Sequence, residues 1–411
     1  MISKIPITNE VQELVDTLIA KLDQDLWKVN HEIWSNPEIG FKEYKAHDII
    51  CDFLEAQGFS VTRHAYGVET AFEARTGEGG RLINFNAEYD ALPNIGHACG
   101  HNLIATSSLA AFLALSFALK HFGLPGRTQL LGTPAEESGG GKVELLEAGA
   151  YTGVDVSLMG HGGPRKMATL PECDGIGGVR MVAREQLFVE FTGKNAHAGG
   201  NPWDGVNALD AFVAAYNNIS MLRQQTNDTD RIHVAVLEAP KAANIIPAKV
   251  RAMFTTRSQT LKSLRALTAR VTKCIEAGAL ASGCTVDITK EAHYADLVLN
   301  DPLCERYKTH GSAYGQKILA TIPDWMTGSS DIGNVTYAVP TLHSMFSIPC
   351  PAGSYPHHPS FTSAAGTPEA HQSALTTGKV LALLGWDAAT DDEFYNQVKS
   401  NWDKSVAEAT A

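Results

Sequence analysis

The stretch RLINFNAEYDALPNIGHACGHNLIATSSLAAFLALSFAL, residues 81–119, predicts the fold class of this chain. It starts with a short apolar segment and breaks into a loop that holds Gly, Pro, His, Asp and Glu. It then continues as an apolar run from Leu103 to Leu119. That run is slightly short for a membrane span and is interrupted by Thr and Ser, so it favours a buried helix. The pattern of strand, polar loop and helix indicates an α/β domain.

Two later segments repeat the first half of this pattern. TQLLGTPAEE (residues 128–137) and DVSLMGHGG (residues 155–163) each start with a short apolar strand and end in a polar loop. Short buried strands that alternate with helices predict a mostly parallel sheet. In such a sheet the polar loops meet at the carboxyl ends of the strands, where ligands bind.

The middle of the chain has a different order of apolar strand and helix segments, which predicts an inserted domain. Its segments read as strand, helix, strand, strand, helix and strand: QLFVEFTG, NALDAFVAAYNNISMLRQQ, RIHVAVLE, AKVRAMFTTRS, TLKSLRALTARVTKCIEAGAL and CTVDITKE. This order is that of a ferredoxin-like domain. We expect one domain formed by residues 1–184 and 297–411, interrupted by the inserted domain at residues 185–296.

Composition narrows the class of function. The 411 residues carry a formal net charge of -12, which disfavours nucleic acid and anionic membranes as partners. The seven cysteines include no CxxC pair, which favours free thiols in a reducing compartment and therefore a cytoplasmic location. The dinucleotide, phosphate-loop, serine-hydrolase and HExxH motifs are all missing from the sequence.

Metal-ligating residue types are densest in the loop after the first strand. Cys99 lies two residues from both His97 and His101, so spacing alone cannot choose between the two histidines. Glu88 and Asp90 precede them. Divalent metals of borderline softness accept thiolate, imidazole and carboxylate ligands together, so the loop is a candidate metal site.

Three other loops offer compatible groups. The TPAEESGGG loop presents adjacent carboxylates, of which one can bind a metal while the other acts as general base. A histidine ends the third strand, and PHHPSF adds two more near the end of the chain. The candidates are Glu136, Glu137, His161, His357 and His358.

The inserted domain has polar candidates of its own. His197 follows its first strand, Asn244 lies between two strands, and Arg257 ends the second of these. A cation and an amide could hold a substrate carboxylate or stabilise an oxyanion. On sequence alone, ordinary loop polarity is the favoured explanation of these residues.

Taken together, the chain resembles the co-catalytic metallopeptidase family that includes aminoacylase-1 and carboxypeptidase G2. The resemblance spans residues 87–361 and rests on the motifs EYDALPNIGHACGHN, TPAEESGGG, MGH, NAHAGGNPWDGVNALDA, KAANIIP, GSSDIGN and PHHPSF. Within the family it is most similar to the amidohydrolase branch of hippurate hydrolase, auxin-conjugate hydrolases and aminobenzoyl-glutamate hydrolase subunits. Its nearest sub-branch includes the mammalian β-alanyl-dipeptide hydrolase.

The resemblance implies a role for each candidate. The implied metal ligands are Cys99, His101, Glu137, His161 and His357. The implied general base is Glu136, and Asp90 orients the ligand loop. The inserted domain corresponds to a lid and dimerisation domain, and the rest of the chain to a catalytic domain. His197 corresponds to a lid histidine that acts across a homodimer, while Asn244 and Arg257 correspond to lid residues that contact substrate. The implied metal is Zn or Mn. One or two ions would bind, since Cys99 stands where other branches use an Asp that bridges two ions.

The leading hypothesis is therefore hydrolysis of the amide bond in a small N-acyl amino acid or unusual dipeptide. The alternatives are a non-hydrolytic partner subunit or metal-binding scaffold, and an enzyme dedicated to one amide of secondary metabolism. Substrate choice depends on loops such as residues 165–180 and 320–330, which carry no recognisable motif.

Overall fold

The computed structural model describes residues 9–166 and 172–411. The strands are β1 (Val61–Arg63), β2 (Phe72–Glu78), β3 (Leu82–Ala87), β4 (Gly126–Gly132), β5 (Val156–Pro164), β6 (Gly175–Met181), β7 (Ala183–Thr192), β8 (Ala196–His197), β9 (Arg231–Glu238), β10 (Ile245–Ile246), β11 (Lys249–Ser258), β12 (Thr285–Lys290), β13 (Ile318–Met326) and β14 (Thr341–Ile348). The helices are α1 (Asn9–Ser35), α2 (Tyr44–Ala56), α3 (His101–His121), α4 (Gly141–Glu147), α5 (Ala208–Leu222), α6 (Leu261–Ser282), α7 (Asp301–Ala313), α8 (Ile332–Ala338), α9 (Pro359–Ala365), α10 (Pro368–Thr390) and α11 (Asp392–Thr410).

The central sheet has the strand order β1-β2-β4-β3-β5-β14-β6-β13. The run β4-β3-β5-β14 is parallel throughout, and β6 pairs in parallel with β13. Strands β1 and β2 pair antiparallel at one edge, and β6 pairs antiparallel with β14. The expected α/β class with a mostly parallel sheet is therefore confirmed.

Helices cover the parallel strands and form the main core with them. Helix α3 packs against α1 and α10, and the inner faces of α1 and α10 supply Val15, Leu26, Leu381 and Leu384 to the same core. In the described part of the chain, α3 is long and apolar enough to cross a membrane, yet 94% of its most apolar window is buried inside the protein. The expectation of a core helix is thus confirmed.

A separate antiparallel sheet has the order β12-β7-β11-β9, with α5 and α6 packed on it. Its core is distinct from the main one and contains Leu187, Phe191, Phe254, Val271 and Ile275. Burial of one such aromatic or aliphatic side chain contributes about 1.5–3 kcal/mol. The elements follow the strand–helix–strand–strand–helix–strand order expected of residues 185–296. The domain boundaries stay a prediction.

Of the two loops expected to shape the substrate pocket, one is only partly described. Residues 167–171, within the loop 165–180, lie outside the described residues. Residues 320–330 belong to β13 and the segment after it.

Candidate metal centre

The candidate residues gather at one edge of the central sheet. Glu88, Asp90, Cys99 and His101 follow β3, the pair Glu136 and Glu137 follows β4, His161 lies in the second half of β5, and His357 follows β14. Strands β3, β4, β5 and β14 run parallel, so their carboxyl ends meet at this edge. The sheet topology thus brings four distant loops together.

Cys99, His101 and His161 form one group of potential ligands, whose donor atoms lie within 4.8 Å of one another. Cys99 Sγ is 3.4 Å from His161 Nε2. The Nδ1 of His161 is 2.7 Å from its neighbouring carbonyl at Gly162, so Nδ1 carries the proton and Nε2 presents its lone pair to the group.

The position of His101 is set by the turn that starts α3. Gly100 has φ +78°, and a Cβ there would lie 3.3 Å from the Phe361 ring, so glycine suits this conformation. His101 Nδ1 lies 2.9 Å from Asp90 Oδ1 and donates to it, which leaves Nε2 as an acceptor. Burial alone would lower the pKa of His101, but the charge and hydrogen bond of Asp90 outweigh it and the pKa is raised.

Cys99, Glu137 and His357 form a second group, also within 4.8 Å. His357 Nε2 is 3.2 Å from Glu137 Oε1, and 53% of the His357 side chain is exposed. The hydrogen bond to Glu137, opposed by burial, raises the pKa of His357. Because both groups contain Cys99, the residues fit either one ion or two ions that share its thiolate.

The chemistry of these side chains fits a divalent cation. His101 Nε2 is buried and has no hydrogen-bond partner among the described residues. Burial, followed by the charge of Glu137, raises the pKa of Cys99 well above its usual range. A thiolate there therefore needs a nearby positive charge, and a bound metal would supply it.

Glu136 lies beside the ligand groups and is 7% exposed. Its Oε2 is 3.8 Å from His101 Nε2. Burial, followed by the charges of Glu88 and Glu137, raises its pKa well above the ordinary value. A buried carboxyl group beside potential metal ligands is suited to accept a proton and return it.

Three contacts fix the backbone of residues 135–137. Glu43 Oε1 accepts the Ala135 N–H at 2.9 Å, Tyr294 donates its hydroxyl to the Glu136 carbonyl at 2.7 Å, and Asp90 Oδ2 accepts the Glu137 N–H at 2.9 Å. Ala135 has φ +58°, an uncommon left-handed conformation for a side-chain-bearing residue. Sequence reasoning missed Glu43 and Tyr294, since both are distant in the chain and neither lies in a ligand-like pattern.

Sequence reasoning also missed a buried ionic cluster behind the ligand groups. Lys142 Nζ pairs with Glu88 Oε1 and, at 2.7 Å, with Asp331 Oδ1, and all three side chains are 0% exposed. Burial would raise the pKa of Glu88, but the charges of Lys142, His101 and His161 together outweigh it and the pKa is lowered. The sequence singled out Glu88 and the GSSDIGN loop, but no sequence pattern indicated that Lys142 joins them.

The alternative histidines have other partners. His97 is buried, and its Nε2 lies 3.0 Å from the Ile33 carbonyl. His358 is the residue before α9, where its Nδ1 accepts the Ser360 N–H at 3.2 Å. Each therefore has a local structural role.

The candidates on the second sheet fall into two places. His197 is exposed, its Nδ1 accepts the Gly200 N–H at 2.9 Å, and the next N–H, of Ala198, donates to the Asn244 carbonyl at 3.0 Å. Arg257 instead reaches the segment before Asp331 and donates to Ser329 Oγ at 3.0 Å. His197 and Asn244 are thus neighbours, while Arg257 contacts the loop near the metal centre.

Comparison with known proteins gives consistent matches. The model of Peptidase family M20/M25/M40 matches residues 84–374. The chain is 39% identical to a Xaa-Arg dipeptidase of Mus musculus, over 90% of this chain and 86% of the relative. It is 29% identical to one of the p-aminobenzoyl-glutamate hydrolase subunits of Escherichia coli, over 68% of this chain and 60% of the relative. A dinuclear metal-binding peptidase of Bacillus subtilis has the same fold, with a TM-score of 0.63 and 18% identity over 89% of this chain and 99% of that one.

Proposed function

This chain belongs to Peptidase family M20/M25/M40, and on that premise we propose that it hydrolyses the amide bond of a dipeptide or small N-acyl amino acid, with Glu136 as general base. The observation that carries the proposal is the pair of ligand groups sharing Cys99 directly beside the buried Glu136 carboxylate. The amidohydrolase branch expected from the motifs is confirmed by the relatives.

The ligand set we propose is Cys99, His101, Glu137, His161 and His357. Two groups that share one thiolate favour two ions, and the sulfur and nitrogen donors favour Zn over Mn. When bound, the ions would supply a water of lowered pKa and polarise the scissile carbonyl. Asp90 supports both groups, because it holds His101 through one oxygen and the Glu137 backbone through the other.

Proton transfer is the task of Glu136. Its carboxylate accepts a proton from the attacking water and returns it to the leaving amine. The three backbone contacts at residues 135–137 hold the carboxylate in place for both transfers. Arg257 and Asn244 are the residues that we propose to bind the carboxylate of the substrate, and Arg257 is held by Ser329.

We propose that His197 acts on the active site of a second subunit in a homodimer. The side chain of His197 is exposed. Its Nδ1 accepts the N–H groups of Gly199 and Gly200 within its own loop, and neither of these bonds uses Nε2. Apolar side chains are exposed on the same domain, on α5 and on the edge strand β9, namely Leu209, Val213, Tyr216, Val236 and Leu237. An exposed edge strand beside an apolar face is a suitable dimer surface. The lid assignment of residues 185–296 belongs to this proposal.

For the substrate, we propose dipeptides with a carboxyl-terminal basic residue first, because two relatives that are 39% and 37% identical over 90% and 95% of this chain are named Xaa-Arg dipeptidases. N-acyl amino acids and aminobenzoyl-glutamate come next. We propose a cytoplasmic location, since the seven cysteines are free and a reducing compartment keeps them so.

The test is a hydrolysis screen over these three substrate classes with added Zn or Mn. We expect turnover of at least one class, its loss on chelation, and a fall of at least ~10³-fold in kcat for Glu136→Gln with metal content unchanged. Near-normal turnover by Glu136→Gln would rule out its role as base. A protein that purifies without metal and hydrolyses none of the classes would favour a partner subunit or scaffold.

A further inference from the structure

Glu88 is not among the ligands assigned so far, yet one of its oxygens faces them. Its Oε1 is held by Lys142, which also pairs with Asp331 Oδ1 at 2.7 Å and donates its backbone N–H to Asp331 Oδ2 at 2.8 Å. The cluster has no exposure to solvent, so the carboxylate has a fixed position and orientation.

The other oxygen, Glu88 Oε2, is buried and has no hydrogen-bond partner among the described residues. It lies 3.6 Å from His101 Nε2, which is also unpartnered. In neutral His101, whose Nδ1 donates to Asp90, Nε2 is an acceptor, so two acceptor atoms face each other in a buried space. Such an arrangement is costly unless a proton or a metal ion lies between the two atoms, and a metal ion that binds there displaces the proton.

The separation fits one metal ion. Ions such as Zn bind nitrogen and oxygen at roughly 2.0–2.2 Å, so two ligands in tetrahedral geometry stand about 3.4 Å apart. Glu88 Oε2 and His101 Nε2 at 3.6 Å match this spacing, as do Cys99 Sγ and His161 Nε2 at 3.4 Å.

We infer that Glu88, through Oε2, is a further ligand of the ion that His101 binds, and that Lys142 positions it. The donor atoms of Glu88, His101 and Glu136 lie within 4.8 Å of one another. This inference rests on the proposed metal centre but not on the choice of substrate. With Glu88, the ion at His101 would have one more protein ligand than an ion at Cys99, Glu137 and His357. His357 is half-exposed, so the second ion would be the more accessible of the two to substrate.

The test measures metal affinity instead of turnover. Competition titrations with a chromogenic chelator are run with Zn²⁺ and Co²⁺ on the full chain, on Glu88→Gln and on Asp331→Asn. Each substitution removes one of the two carboxylates that pair with Lys142, but only Glu88→Gln removes the proposed ligand carboxylate. In Glu88→Gln the lysine keeps Asp331 as its counter-ion, so the buried cluster stays charge-balanced.

We expect Glu88→Gln to weaken one of two bound ions by at least ~10-fold and leave the other unchanged, while Asp331→Asn stays within about threefold of wild type. The Co²⁺ absorption should shift in intensity for Glu88→Gln because one coordination position is vacated. Equal losses in both variants would show that Glu88 acts only through Lys142, and wild-type affinity in Glu88→Gln would exclude it as a ligand. A wild-type protein that binds no metal would overturn both this inference and the proposed function.

Discussion

Asp90→Asn is the substitution that best tests how the metal centre is held. Asp90 accepts two N–H groups: His101 Nδ1 at 2.9 Å through Oδ1, and the Glu137 backbone at 2.9 Å through Oδ2. Asparagine has one acceptor oxygen, and its NH₂ group would face the second donor. One of the two contacts must therefore be lost.

Either loss weakens the ligand set. If the Glu137 N–H is left unpaired, a buried donor costs about 1–3 kcal/mol and the Glu137 loop loses one of its three contacts. If the NH₂ faces His101, Nδ1 must become the acceptor, and the proton moves to Nε2, the atom that would bind the ion. Loss of such a contact to a metal ligand lowers metal affinity by roughly 10–100-fold, or about 1.4–2.8 kcal/mol.

The assay is a Zn²⁺ competition titration of the wild type, Asp90→Asn and Asp155→Asn. Asp155 is the matched control, since it also accepts two donors, the Leu82 N–H at 2.8 Å and the Tyr395 hydroxyl at 3.0 Å, but none of its contacts is with a candidate ligand. We expect the control to lose stability without losing metal. Wild-type Zn²⁺ affinity in Asp90→Asn would refute the reasoning.

Two further predictions concern Glu43 and His197. Burial, followed by the charge of Asp90, raises the pKa of Glu43 to about 7 from 4.5, so its ionisation destabilises the folded state as pH rises from 4.5 to 7. Urea unfolding should show that the free energy of unfolding of Glu43→Gln relative to wild type is greater at pH 8 than at pH 5 by about 2.5 kcal/mol, and equal effects at both pH values would contradict this. Neither His197→Ala nor Glu136→Gln should be active alone. If His197 acts in trans, mixing the two chains should restore about a quarter of wild-type activity, because about half of the dimers are then mixed and each mixed dimer has one complete site of two. No recovery of activity would remove that role of His197.

Much of the site could be found from the sequence because the chemistry follows the strands. Strands recognisable by short apolar runs lead into loops that contain Cys99 and Glu136, and His161 lies in the second half of another such strand. A parallel sheet brings these strand ends to one edge. Spacing left His97 and His101 equivalent, and the family resemblance favoured His101. The structure supplies a physical difference, since His97 contacts the Ile33 carbonyl and His101 contacts Asp90.

What the sequence determined by itself is the element order, the α/β class and the loops in which metal ligands occur, because these depend on local periodicity and residue type. Only the tertiary structure decided which distant groups support those loops. Glu43 and Tyr294 reach residues 135–137 from far along the chain, and Lys142 joins Glu88 to Asp331. Such contacts leave no local pattern, because a buried hydrogen bond depends on where packing brings two side chains together and not on their separation in sequence.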